Sequence, residues 1–211
     1  MFAASDSSEC IPPVNALRVI IFKYAPWTPE VYYNSRHPEY AAIRSIVSQN
    51  PDKDFILIGR GAKYEHFRLE RTVFYNLACA NKMTYVISFF LSFALPVLLR
   101  PSVIVAMAGV NLVPIGMASV LTRANLITVL TAEIRHDLSV VPEKMKRPFK
   151  AFLRACFENS CAVLAIGESI KRELRDNYSR SVKVFVYRYR TPSIFNPAVS
   201  RDLKRALTPA G

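Results

Sequence analysis

Glu133 and His136 stand three residues apart, just after the apolar run Leu126–Thr131. A carboxylate and an imidazole so placed can position a substrate hydroxyl or share its proton. Lys23, Arg60, Asn111 and Glu168 also follow β-type apolar runs. In an open parallel sheet, ligands bind outside the carboxyl ends of the strands, which selects all six residues for one cleft. Two plainer readings stand beside this one. Glu133 and His136 equally suit a solvated loop, and Glu168, after Gly167 at a helix start, suits the free amides and the helix dipole.

The elements that must position these residues alternate. Strands are expected over Arg18–Phe22, Phe55–Gly59, Ser102–Ala108, Leu126–Thr131, Ala162–Ile166 and Val182–Val186. Most are continuous apolar runs, the pattern of a parallel sheet covered on both faces. Helices are expected over Glu39–Ser48, Asn76–Leu99, Leu112–Thr122, Glu143–Asn159 and Glu168–Asp176, with Pro96 kinking or ending the second. This βαβ rhythm predicts an α/β, Rossmann-like three-layer sandwich with a mostly parallel sheet. Residues 17–197 form that domain, 1–16 a polar, flexible tail with no secretory pattern, and 198–211 a linker or C-terminal tail.

Lys and Arg outnumber Asp and Glu by 28 to 16, a net charge of +12 that favours anionic partners. Lys144, Lys146, Arg147, Lys150 and Arg154 fall on one expected helix. They form a membrane-surface patch or an ordinary solvated face. Tyr187, Arg188, Tyr189 and Arg190 alternate aromatic and basic side chains, a pattern that suits stacking on bases and equally suits an edge strand. Nucleic-acid binding is therefore kept as the second class of function, without being favoured. Gly59-Arg60-Gly61 has Tyr64 where a dinucleotide fingerprint needs its third glycine, and no P-loop occurs. The four cysteines show no CxxC spacing and His37, His66 and His136 are dispersed, so reduced thiols, no metal and no cofactor are expected. Residues 83–99 and 101–122 carry no charge, long enough to suggest a bilayer. Gly109, Asn111, Pro114 and Gly116 instead divide the second run into a strand, a turn and a helix, favouring a soluble domain that attaches to a cytoplasmic membrane surface.

From Pro101 onward the chain resembles the N-terminal domain of family-four GT-B glycosyltransferases. Pro101-Ser102-Val103-Ile104-Val105, Gly109 and Thr128-Val129-Leu130-Thr131 follow in the family's order. The better match is Ser160–Leu174, similar to the family's "A-D-hydrophobic-V-S-E-S-hydrophobic-K-R-E-L" strand and helix. Val184–Tyr187 and Ser193–Pro197 resemble the segment closing that domain. Three places depart from the pattern. Lys23–Pro29 replaces a glycine-rich loop, Ala132-Glu133 replaces "H-G", and Arg188–Thr191 replaces "N-G-V-D".

The resemblance implies transfer of a sugar from a nucleotide-sugar donor to a lipid-linked or glycan acceptor at an anionic membrane surface. From their positions after the strands, Glu133 and His136 are expected to be catalytic, and Lys23, Arg60, Asn111, Glu168, Arg188 and Arg190 to line the cleft. The resemblance also implies a donor-binding C-terminal domain, from a partner chain or from the same protein. The family's E-x7-E pair belongs to that half, and no glutamate here is followed by another at that spacing. The isolated chain is expected to be inactive.

Overall fold

The computed structural model describes residues 17–23, 25–35, 37–107, 112–131, 134–139, 141–179 and 181–186, with the backbone alone at 38 and 135–137. Its strands are β1 (Arg18–Phe22), β2 (Asp54–Gly61), β3 (Glu65–Leu69), β4 (Thr72–Ala78), β5 (Val103–Met107), β6 (Asn125–Leu130), β7 (Ser160–Ala165) and β8 (Val184–Val186). Its helices are α1 (Pro29–Asn34), α2 (Pro38–Ser48), α3 (Lys82–Leu99), α4 (Leu112–Thr122), α5 (Ile134–Ser139), α6 (Glu143–Asn159) and α7 (Glu168–Asn177).

One sheet runs in the order β3-β4-β2-β1-β5-β6-β7-β8. Every pairing is parallel except β3 with β4. The uninterrupted apolar runs follow from helices on both faces. Ile20 and Phe22 of β1, with Ile56 and Ile58 of β2, enter a core shared with α4, α6 and α7. Val19, Ile21, Phe55 and Leu57 enter a second core with Tyr32 of α1, Ile43 of α2 and Trp27. The expected α/β, Rossmann-like, mostly parallel sandwich is the fold observed.

The expected helix Asn76–Leu99 is corrected at its start. Residues 72–78 form β4, and α3 begins only after Asn81, whose side chain accepts from Thr84 N while Asn81 N donates to Thr84 Oγ1. A cap of this kind satisfies amides that have no partner within the helix. β3 and β4 make a hairpin that the sequence reading missed. Phe67 stacks on Phe74 at 4.7 Å, and Phe74 is fully buried. Glu70 supplies the turn's left-handed residue, φ 54°, where glycine or asparagine would have signalled it. Pro96 does not end α3, which runs to Leu99 and closes on Arg100 at φ 45°. α1 and α5 are further additions; Thr28 caps α1 with Pro29 at its first position.

Residues 1–16 and 198–211 lie outside the described residues. α4 and α6 approach closely at Gly116, where an added Cβ would overlap Cys156 Sγ. Burial alone pushes the Cys156 thiol up to about 11. Cys156 is buried and Cys161 exposed, both as free thiols.

Candidate functional site

The chain leaves β1 toward β2 on one side, while β5 lies on the other. Such a change of direction opens a crevice outside the carboxyl ends of these strands. There the structure holds a cavity of 10 Å³, about the size of one water molecule. Phe22 from β1 and Lys23 just after it, Ile58, Gly59 and Arg60 from β2, and Ala106 and Met107 from β5 line it. Leu77, Ser92, Leu112 and Ile115 complete the wall.

Lys23 and Arg60 reach this point from opposite faces of the sheet. Lys23 lies 2.8 Å from Glu39 Oε2, and its Nζ sits 3.3 Å from the centre of the Tyr40 ring, both on α2. Burial pulls the lysine below its ordinary pKa, and Glu39 opposes that shift by hydrogen bond and charge. Arg60 lies over the ring of Tyr85 on α3, 4.9 Å from its centroid. Both cations are buried, at 9% and 6% exposure. Lys23, paired with Glu39 and set against Tyr40, and Arg60, set against Tyr85, are among the described residues the two buried basic side chains at the strand ends.

The segment after β1 covers these strand ends. Asn76, wholly buried in β4, accepts from Trp27 N at 2.8 Å and donates to Trp27 O at 2.6 Å, acting as a strand neighbour to the loop. Its Nδ2 also reaches Glu65 Oε2 at 3.3 Å, and Lys63 and then Asn76 hold that carboxyl below the usual range. At Gly59 a Cβ would stand 2.5 Å from Ala25 O and 2.6 Å from Trp27 Cδ1, so only glycine lets the loop lie this close. The prolines of this segment leave fewer amides for a phosphate. It is packed down by side chains instead.

The remaining expected residues are distributed differently. Glu168 stands at the start of α7, beyond β7, with its carboxylate 3.2 Å from Lys171 and largely in solvent. His136 lies on α5, its side chain outside the described set, as are Asn111, Glu133, Arg188 and Arg190. α5 is fixed to α7 by Ile134 N, which donates to Glu173 Oε2 at 3.1 Å. The basic residues of α6 are partly neutralised locally. Lys146 pairs with Glu143 and Arg154 with Glu158, while Lys150 faces Tyr178. Lys144 and Arg147 are exposed. Sequence reasoning missed Asn76, Glu39, Tyr40 and Tyr85. Among the described residues no group of three or more His, Cys, Asp and Glu is placed to hold a metal ion.

No protein-family model and no curated protein sequence matches the chain. Its fold, however, is similar to that of solved structures. The sucrose-phosphate synthase of Thermosynechococcus elongatus superposes with a TM-score of 0.54 at 10% identity, over 90% of this chain and 53% of that one. An α,α-trehalose-phosphate synthase (UDP-forming) from Burkholderia vietnamiensis gives 0.54 at 14% identity, over 91% and 54%. A shorter form of the Thermosynechococcus protein gives 0.52 at 10% identity, with 98% of its length covered. The chain thus spans about half of the two longer synthases. Its fold, an α/β sandwich on a mostly parallel sheet, is similar to about half of each of these synthases.

Proposed function

We propose that the chain is the acceptor-side half of a sugar-transfer enzyme. It would present a lipid-linked or glycan acceptor to a nucleotide-sugar donor held by a second Rossmann-like domain. The observation that carries the reading is a fold similar to half of two sugar-transfer synthases, with the buried basic residues Lys23 and Arg60 at its switch-point crevice. The second domain would come from further residues of the same protein or from a partner chain.

In this reading the acceptor lies outside the strand ends, above Lys23 and Arg60. Glu133 and His136, which follow β6 in the chain, take up or polarise the proton of its attacking hydroxyl. The departing diphosphate develops negative charge on the donor side, where preorganised donors of the second domain would meet it. Glu168, paired with Lys171, supports the start of α7 at the cleft's edge.

The test is a transfer assay on the complete enzyme. Glu133→Ala and His136→Ala should each lower turnover by about 10²-fold or more, the scale of a lost acid–base group, while the melting temperature stays near the parent's. A sharp fall in melting temperature with turnover intact would show both residues to be structural.

A further inference from the structure

α3 is built inside out. Its buried positions are Ser88, Ser92 and Pro96, one turn apart, with Ser88 Oγ donating to Ala78 O and Ser92 Oγ to Ser88 O at 2.8 Å. Its outer face carries Met83, Val86, Ile87, Phe90 and Leu98, from 51% to 77% exposed. α4 packs against α3 and turns Met117, Val120 and Leu121 outward as well. The two helices thus present one continuous apolar surface, unlike the single scattered hydrophobics of an ordinary exterior.

Charge identifies what covers it. Residues 71–132 contain no Asp or Glu, yet Lys82, Arg100 and Arg123 stand at the ends of α3 and α4. α6, the next helix packed on α4, adds the exposed Lys144 and Arg147. A second copy of the chain laid on α3 and α4 would offer the cations at their ends no carboxylate from those two helices, and Glu143 of α6 is already paired with Lys146. An anionic lipid headgroup offers one negative charge to each, with acyl chains beneath for the apolar side chains. Spanning is excluded by the topology. α3 leaves β4 and returns to β5 within one sheet, so crossing the bilayer would drag the sheet in with it.

We infer that the α3–α4 face inserts into the headgroup boundary of an anionic membrane, with α3 lying in the plane of the surface. The inference rests on α3, α4 and their flanking cations alone and stands whether or not sugar is transferred. The Lys144–Arg154 helix then serves as the electrostatic rim, and the apolar face makes the attachment.

The experiment uses the 211-residue chain and vesicles of phosphatidylcholine with or without phosphatidylglycerol. The chain should float with the mixed vesicles, and added salt should weaken this without abolishing it. The double variant Val86→Ser with Phe90→Ser should bind at least tenfold more weakly at an unchanged melting temperature. Phe90→Trp should be quenched by brominated lipid, while the parent's buried Trp27 is not. Three outcomes would overturn the inference. The first is flotation equal for the parent and the serine variant but lost in Lys144→Glu with Arg147→Glu, which would be attachment by α6 charge alone. The second is an unquenched Trp at position 90. The third is a concentration-dependent dimer that the serine variant dissociates, without vesicle binding.

Discussion

α7 and α3 cover the same face of the sheet by opposite means. α7 buries Ile170 and Leu174 and turns Glu168, Arg172, Arg175 and Asp176 to water, the usual amphipathic arrangement. α3 buries two serines and a proline, flanked by Leu91, Leu95 and Leu99 at the edge of the core, and turns its larger apolar side chains out. The core's requirement is therefore sufficient to explain α7. It explains only the inner stripe of α3, where small side chains let α3 and α4 approach. The outer apolar side chains of α3 gain nothing from the fold, so their chemistry answers to a second environment.

Mutations that act on the two helices separate these roles. Leu174→Ala should cost most, about 3 kcal/mol, because a fully buried leucine leaves a cavity in the shared core. A denaturant midpoint shift at unchanged slope checks it. Ser92→Leu, which enlarges the buried stripe of α3, should cost about 2 kcal/mol through overpacking, despite being the more hydrophobic residue. If it stabilises the protein instead, the inner stripe is loosely packed and the contrast fails.

The α4–α6 contact gives a smaller, pH-dependent effect. Burial raises the Cys156 thiol above its unfolded value of 9.0 to about 11. The unfolded chain therefore releases this proton first, so the contribution is whole below pH 9 and lost as pH climbs toward 11. By pH 10 it should amount to about 1 kcal/mol, and Cys156→Ala should remove that part of the alkaline slope in unfolding measured from pH 8 to pH 10.5. Phe90→Ser should change stability least, within about 0.5 kcal/mol, because the ring lies 65% exposed on the outer face of α3. A loss above 2 kcal/mol would mean that the outer face serves the fold after all.

Much of the architecture was legible in the sequence, for the reason that makes α7 ordinary. β1 and β2, and β6 along its later half, are buried on both faces and so appear as continuous apolar runs, while β5 and β7 bury alternate residues of runs that are apolar throughout. α4 and α6 came out with the observed limits. β3 and β4 did not show. β3 is a half-exposed edge strand with charged residues, and the turn between the two carries Glu70 and Arg71 in place of a glycine pair. Thr28-Pro29, a cap followed by proline, was an available signal for α1.

At the crevice, Lys23 and Arg60 were legible because strand ends are visible in a sequence. Their partners were not. Glu39, Tyr40 and Tyr85 meet them only through the tertiary fold, and Asn76 was hidden by the helix assigned across it. Position along one strand indicates which edge of the sheet a residue reaches. It does not indicate what stands above it.

In the proposed function these residues form the acceptor side of a sugar-transfer cleft, and a second domain holds the donor. The most direct measurement is calorimetric titration of the purified chain with uridine and guanosine diphosphate sugars, followed by a turnover assay with membrane extract as acceptor. The chain alone should show no saturable donor binding and no transfer. Tight donor binding with multiple turnovers would contradict this reading and place a complete active site within these 211 residues.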